Sequence, residues 1–309
     1  MPKNILAFIV AILLTSTCFA QLPKVAGGTI KRYEQFPSKH IKPRTVDVWL
    51  PENYDSTQRY AVLYMHDGQM LFDSTKTWNG LEWKVDETLS ALQAKGQIRK
   101  TIVVATWNIP KYRFAEYFPE KALNNLPEKL REDLVNNELM DKPQADNYLL
   151  FLTQELKPFI DSTFATYTDR ENTFIAGSSM GGLISLYAIC EYPEVFGGAA
   201  CLSTHWPGSL RIQNATIPKA IVTYLEQKLP SPETHKIYFD YGTATLDAFY
   251  KPYQTMVNKL MKDKGYTRKN WVTKEFTGEG HSEAAWARRL HQPLQFLLST
   301  KEPVNHIGK

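Results

Sequence analysis

Apolar positions along the chain follow two periods. Short runs rich in Val, Ile, Leu, Ala and aromatic residues alternate with longer segments whose apolar positions recur three and four residues apart. The first kind reads as buried strand, the second as amphipathic helix. Thr29–Phe36 and Arg44–Leu50 predict two antiparallel opening strands. Runs at 60–65, 102–106, 173–176, 199–202, 236–240 and 272–276 predict the main sheet. Helices are predicted over 83–95, 145–163, 183–192, 250–265 and 284–298. Strands that alternate with helices after a strand-rich start predict an α/β chain, with a mostly parallel sheet and helices on both faces. No repeat or low-complexity linker interrupts the pattern, so a single domain is expected.

The N-terminus departs from that pattern. Lys3 is followed by an apolar run over 5–14, then by small and polar residues to Ala20. This is the layout of a signal peptide over 1–20, cleaved before Gln21, which predicts export to the periplasm or the medium. The run is too short to span a bilayer as a helix. Acylation of Cys18 is disfavoured, because Thr15-Ser16-Thr17 makes a poor lipobox. Beyond that segment the chain carries 35 basic and 32 acidic side chains, a balance of +3. No dense Lys/Arg run is present, which argues against nucleic acid and leaves room only for weak attraction to acidic polymers such as glucuronate-bearing polysaccharide. Cys190 and Cys201 lie in apolar stretches. A disulfide is permitted in an oxidising compartment, but two buried free thiols are the favoured reading. His40, His205, His235, His291 and His306 are scattered without metal-ligand spacing, so neither metal nor cofactor is expected.

The run Gly177-Ser178-Ser179-Met180-Gly181-Gly182 has the form G-x-S-x-G, with a predicted strand before it and a predicted helix after it. In that context the motif is a nucleophile elbow, in which a sharp turn exposes the serine at the sheet edge. The register is unique. Placing the nucleophile at Ser178 would put Ala176 and Met180 at the glycine positions. Such a serine needs a base and an acid, in the chain order serine, acid, histidine. His281 follows the last strand through Gly278-Glu279-Gly280 and precedes an amphipathic helix; it is the expected base. Asp247, beyond the end of the strand over 236–240, is the favoured acid. Asp240, inside that strand, is the alternative and otherwise a structural hydrogen-bond acceptor. An oxyanion hole requires two N–H groups: that of Met180, and that of Gly68 or Gln69 in the loop after the strand at 60–65. His66, in the same loop, is read as a packing residue.

Two segments are expected to shape a cleft. Residues 109–143, with Tyr112, Arg113, Phe114, Tyr117, Phe118 and Leu139-Met140, are polar and long enough to form a cap or rim. Arg113 is by default an ion-pair partner and otherwise a ligand for a substrate carboxylate or glycan. Ser203-Thr204-His205-Trp206-Pro207 follows a predicted strand, so Trp206, with His205 beside it, is a candidate wall for the acyl or sugar group. Trp78 and Trp83 are alternatives, and each could instead simply pack in the core.

These motifs together resemble the esterase D family of α/β-hydrolases, which includes feruloyl and acetyl xylan esterases, enterochelin esterase, S-formylglutathione hydrolase and secreted mycolyltransferases. The resemblance spans about residues 31–298. It rests on Arg44-Thr45-Val46-Asp47-Val48-Trp49-Leu50-Pro51, on Val62-Leu63-Tyr64-Met65-His66-Asp67-Gly68-Gln69, on residues 113–119 and 177–182, on Tyr241-Gly242-Thr243, and on Gly280-His281 with Trp286 beyond. Many members carry the acid a residue or two nearer the Gly-Thr pair; here those positions are Ala244 and Thr245, neither of which ionises. The resemblance implies an α/β-hydrolase fold and a serine esterase acting on a small-molecule or polysaccharide ester, with acyl groups on plant polysaccharide or a siderophore as substrates. An export signal argues against the cytosolic S-formylglutathione activity. An acyltransferase using the same triad, or a hydrolase-fold binding protein, are the alternatives.

Overall fold

The computed structural model describes residues 21–140 and 142–299. The segment read as a signal peptide, with Cys18, therefore lies outside the described residues. Eight strands form one sheet: β1 Thr29–Phe36, β2 Arg44–Leu50, β3 Ala61–Met65, β4 Thr101–Thr106, β5 Thr173–Ser178, β6 Gly198–Leu202, β7 Lys236–Gly242 and β8 Trp271–Phe276. Their spatial order is β1-β2-β4-β3-β5-β6-β7-β8. β1 and β2 run antiparallel, β2 pairs antiparallel with β4, and every pairing from β4 to β8 is parallel.

Side-chain alternation divides the interior into two cores. Val62 and Tyr64 of β3, Ile102 and Val104 of β4, and Ile175 of β5 face one side, with the helix Met180–Glu191. Leu63 and Met65, Val103 and Ala105, and Phe174 and Ala176 face the other, with the helices Val85–Ala94 and His291–Leu298. Burial on both faces is why the central strands read as nearly continuous apolar runs.

Several elements depart from the sequence expectation for identifiable reasons. The predicted helix over 145–163 is α-helical over Ala145–Leu150, widens to a π-turn over Phe151–Leu156, and resumes over Lys157–Thr163. Pro158 coincides with the change; it lacks an N–H, and its ring disfavours an α-turn behind it. Pro293 likewise divides the last helix into Glu283–Arg289 and His291–Leu298. A further helix, Thr216–Lys228, buries Ile217, Ile221 and Tyr224, a helical spacing hidden in a polar stretch. Within 109–143, Tyr117, Phe118, Leu123, Leu134 and Leu139 are buried in the main core. The segment is thus folded onto the body; most of its charged residues face outward, whereas Glu116 is buried and pairs with Arg44.

The turn after β5 sets the geometry of the site. Ser179 has φ 57° and ψ −123°, a conformation ordinary L residues avoid. It holds because the chain is fixed on both sides: the Ser179 N–H donates to the Leu202 carbonyl, and its own carbonyl accepts from His205. A Cβ at Gly177 would lie 2.7 Å from the Gly181 carbonyl oxygen, so strand and helix approach this closely only over glycine. Gly177→Ala is expected to destabilise the protein by about 1–3 kcal/mol through overpacking, read as a lower midpoint in urea unfolding. An unchanged midpoint would mean that helix and strand can separate without cost.

Candidate active site

The carboxyl ends of β5, β7 and β8 deliver three side chains to one edge of the sheet. Ser179 follows β5. Asp247 lies on the single 3-10 turn Thr245–Phe249 after β7. His281 lies between β8 and the helix Glu283–Arg289, which Ser282 caps by accepting from the Ala285 N–H. The loops after β7 and β8 are joined directly. Thr243 and Ala244 donate to the Glu279 carbonyl, and the His281 N–H donates to Thr245 Oγ1 at 2.8 Å. A Cβ on Gly242 would fall 2.0 Å from the Glu279 oxygen, so this approach requires glycine.

His281 Nδ1 meets Asp247 Oδ1 at 2.6 Å. The other carboxylate oxygen accepts from Ser203 Oγ at 2.5 Å and from the Gly242 N–H at 2.6 Å. Burial alone would push this carboxyl group up, but the hydrogen bonds from His281, Ser203 and Gly242 outweigh it and hold Asp247 below the usual carboxylate range. An ionised Asp247 only accepts, so Nδ1 carries a proton and Nε2 of the neutral ring is left as an acceptor. Trp286 packs edge-on against the imidazole at 5.0 Å. Ser179 and His281 line the same cleft, of roughly 520 Å³. The Met180 N–H opens its helix and has no carbonyl one turn back to bond. Gln69 lines the cleft, its Oε1 accepting from the Asn108 N–H. Gly68 instead packs under the loop against the Ala105 backbone.

The remaining sequence candidates are placed differently. Asp240 lies away from His281 and pairs with Arg289 at 3.0 Å; burial raises its carboxyl pKa. Trp206 does not wall the cleft. It is 1% exposed, donates to Gln254 Oε1 and packs on Phe239. His205 is also outside the cleft. Its Nε2 donates to the Ser209 carbonyl and its Nδ1 accepts from Tyr250 Oη, and burial pushes it down to about 4, so it stays neutral. Arg113 lines the cleft, but its Nε and Nη2 both donate to Asp67. Burial pushes the Asp67 carboxyl up, and Arg113, with the hydrogen bond from Asn108, brings it below the usual carboxylate range. His66 is packed against Tyr117 and Tyr148, bonded to Tyr148 Oη, and pushed by burial to about 3.

The aromatic wall is built by Trp78, Trp83, Phe114 and Trp286. Trp78 is 84% exposed at the mouth, whereas Trp83 and Trp286 are buried, their rings 5.3 Å apart and tilted by 39°. The five-residue interval from His281 to Trp286 was the available signal for the last of these. A groove of about 600 Å³ near Lys121, Arg131 and Glu132 contains no nucleophile with a base. Among the described residues no group of three or more His, Cys, Asp or Glu side chains is arranged to hold a metal, and Cys190 and Cys201 are buried free thiols.

Comparison with known proteins places this geometry. Residues 39–297 match the sequence profile of the family described as "Putative esterase". An endo-1,4-beta-xylanase/feruloyl esterase of Xylanibacter ruminicola is 23% identical over 289 residues, 91% of this chain but 33% of that protein. YjcH of Bacillus subtilis is 26% identical over 171 residues, 55% of this chain and 59% of that protein. The chain thus spans less than two thirds of either relative. Among solved structures, a ferulic acid esterase superposes with TM-score 0.62 at 18% identity, covering 88% of this chain and 98% of that one. The enterobactin esterase FES of Shigella flexneri, solved with enterobactin, gives TM-score 0.63 at 20% identity, covering 90% and 60%. The mostly parallel eight-stranded sheet is therefore that of an α/β-hydrolase, and the chain belongs to the family described as "Putative esterase".

Proposed function

We propose that the protein is an exported serine esterase that works through an acyl-enzyme. The observation that carries this reading is the contact between His281 Nδ1 and buried Asp247, with His281 and Ser179 in one cleft. Ser179 Oγ attacks the ester carbonyl while His281 Nε2 takes its proton. The N–H groups of Met180 and Gln69 hold the oxyanion. The imidazolium then protonates the leaving alcohol, Asp247 keeping the ring oriented. Water, deprotonated by the same histidine, releases the acid and restores Ser179.

The cleft favours a neutral aromatic acyl group. Its charged lining residues are Asp67, Arg113, His281 and Glu283, and Arg113 is matched by Asp67. A polyanionic substrate would face Glu283 without an unmatched permanent cation. A flat ring stacks on indole faces, whereas a long acyl chain needs a continuous apolar tunnel. Feruloyl esters borne on polysaccharide fit this description, in keeping with the names of the Xylanibacter relative and the ferulic acid esterase.

Ser179→Ala should remain folded and lose roughly 10⁴- to 10⁶-fold in kcat, and a serine-directed phosphonate should label Ser179 in the native protein. Asp247→Asn should lose about 10³- to 10⁴-fold in kcat. Asp240→Asn should lower Tm, because it removes the hydrogen-bonded counter-charge of the buried Arg289 and leaves only Asp247 at 3.8 Å, and it should cost kcat far less than Asp247→Asn. The reverse pattern, or wild-type turnover in Ser179→Ala, sinks the mechanism. In a panel of methyl hydroxycinnamate, p-nitrophenyl acetate and long-chain esters, the hydroxycinnamates should be preferred. Trp78→Ala should raise KM for them more than for acetate; an equal effect on both removes Trp78 from acyl recognition. Export, which rests on residues 1–20, predicts a mature chain beginning at Gln21 by intact mass. A retained N-terminus or diacylglycerol on Cys18 contradicts it.

A further inference from the structure

Ser203 stands next to the chain turn that carries Ser179 and has no role in the mechanism above. It is fully buried, and its φ is +40°, a left-handed value that costs a serine energy. Its hydroxyl has three partners. Trp286 Nε1 approaches at 2.9 Å, Arg289 Nη2 at 2.8 Å, and Asp247 Oδ2 at 2.5 Å. Indole and guanidinium nitrogens only donate. Both lone pairs of Ser203 Oγ are therefore occupied as acceptors, and its single proton has one place to go, the Asp247 carboxylate.

The supports of this arrangement are themselves fixed. Arg289 Nη2 has two protons, one directed to Ser203 Oγ and the other to Asp240 Oδ1 at 3.0 Å. Its 3.8 Å separation from Asp247 Oδ2 is an electrostatic contact and not a hydrogen bond. The Ser203 N–H donates to the Asp240 carbonyl at 2.8 Å. Asp240 thus anchors both the backbone of Ser203 and the guanidinium that orients its hydroxyl. Trp286, which donates to the same oxygen, also packs against the His281 ring. With Ser203 and Gly242 holding Oδ2, the carboxylate cannot turn without losing bonds, and Oδ1 stays directed at His281 Nδ1.

We propose that Ser203 is a positioning residue of the active site: its hydroxyl, locked as a donor by Trp286 and Arg289, fixes the Asp247 carboxylate and through it the tautomer and orientation of His281. This rests on the triad reading above, and the test separates the two. Ser203→Ala removes the hydroxyl and keeps the Cβ. Ser203→Gly also removes it and relieves the left-handed backbone, so it guards against a folding defect in the alanine variant. Both are compared with wild type and with Ser179→Ala, using a neutral ester across a pH series, with the folded fraction measured by near-UV circular dichroism.

Loss of an orienting partner should lower kcat about 10- to 100-fold, with KM within about twofold, since no group that touches substrate is removed. The acid limb of the kcat/KM profile should move to higher pH. A carboxylate with one donor fewer holds the imidazolium more tightly, so the pair releases its proton later. A purely structural serine would lower Tm and leave that limb in place. Wild-type kcat with an unmoved limb in the folded variants overturns the proposal, as does a loss of activity in which KM rises in step and the limb stays put. Wild-type turnover in Ser179→Ala would overturn the triad reading instead.

Discussion

A carboxylate withdrawn from water must be repaid in hydrogen bonds, and the buried Asp247 organises the edge of this sheet around that demand. Its two oxygens draw in the imidazole of His281, the hydroxyl of Ser203 and the N–H of Gly242. Those groups come from the ends of three adjacent strands. The loops that carry them are pinned to one another where Gly242 lets the Glu279 carbonyl approach. The result is a histidine whose orientation is set from behind, leaving its second nitrogen toward the cleft that Ser179 shares.

A second strained position acts with the first. Ser179 and Ser203 both occupy left-handed backbone conformations, and they lie at the ends of neighbouring parallel strands. Hydrogen bonds between Ser179 and Leu202, and between His205 and Ser179, bind the two turns into one unit. The sheet pays for this strain with the two well-packed cores on its faces. The buried helix Met180–Glu191 makes the elbow rigid; it presses on the sheet with nearly every residue covered.

Much of this was legible in the sequence because the relevant constraints are local. The glycines around Ser179 and the apolar strand before it announce a tight strand–helix turn. The sequence favours Asp247 over Asp240, because one lies beyond its strand and the other within it, and keeps Asp240 as the alternative. The structure puts Asp247 on His281 and Asp240 on Arg289. What was not legible depends on the direction the chain takes after a strand ends. Trp206 follows β6 at the expected edge, yet the left-handed turn at Ser203 sends the chain inward, and the indole is buried against Phe239. Arg289 lies on an amphipathic helix, where a charged residue reads as solvent-facing; only the three-dimensional pairing reveals a guanidinium 2% exposed between Ser203 and Asp240. The aromatic wall was mis-centred for the same reason, since Trp78, Trp83 and Trp286 come from distant segments.

In the proposed mechanism Ser179 becomes acylated and the same site hydrolyses the intermediate. Rapid mixing with a p-nitrophenyl ester, followed by acid quench and peptide mass mapping, tests it directly. A burst of nitrophenol of about one equivalent per active site and an acyl adduct on the peptide containing Ser179 are expected. A linear time course with no adduct, or an adduct on any other residue, would contradict it.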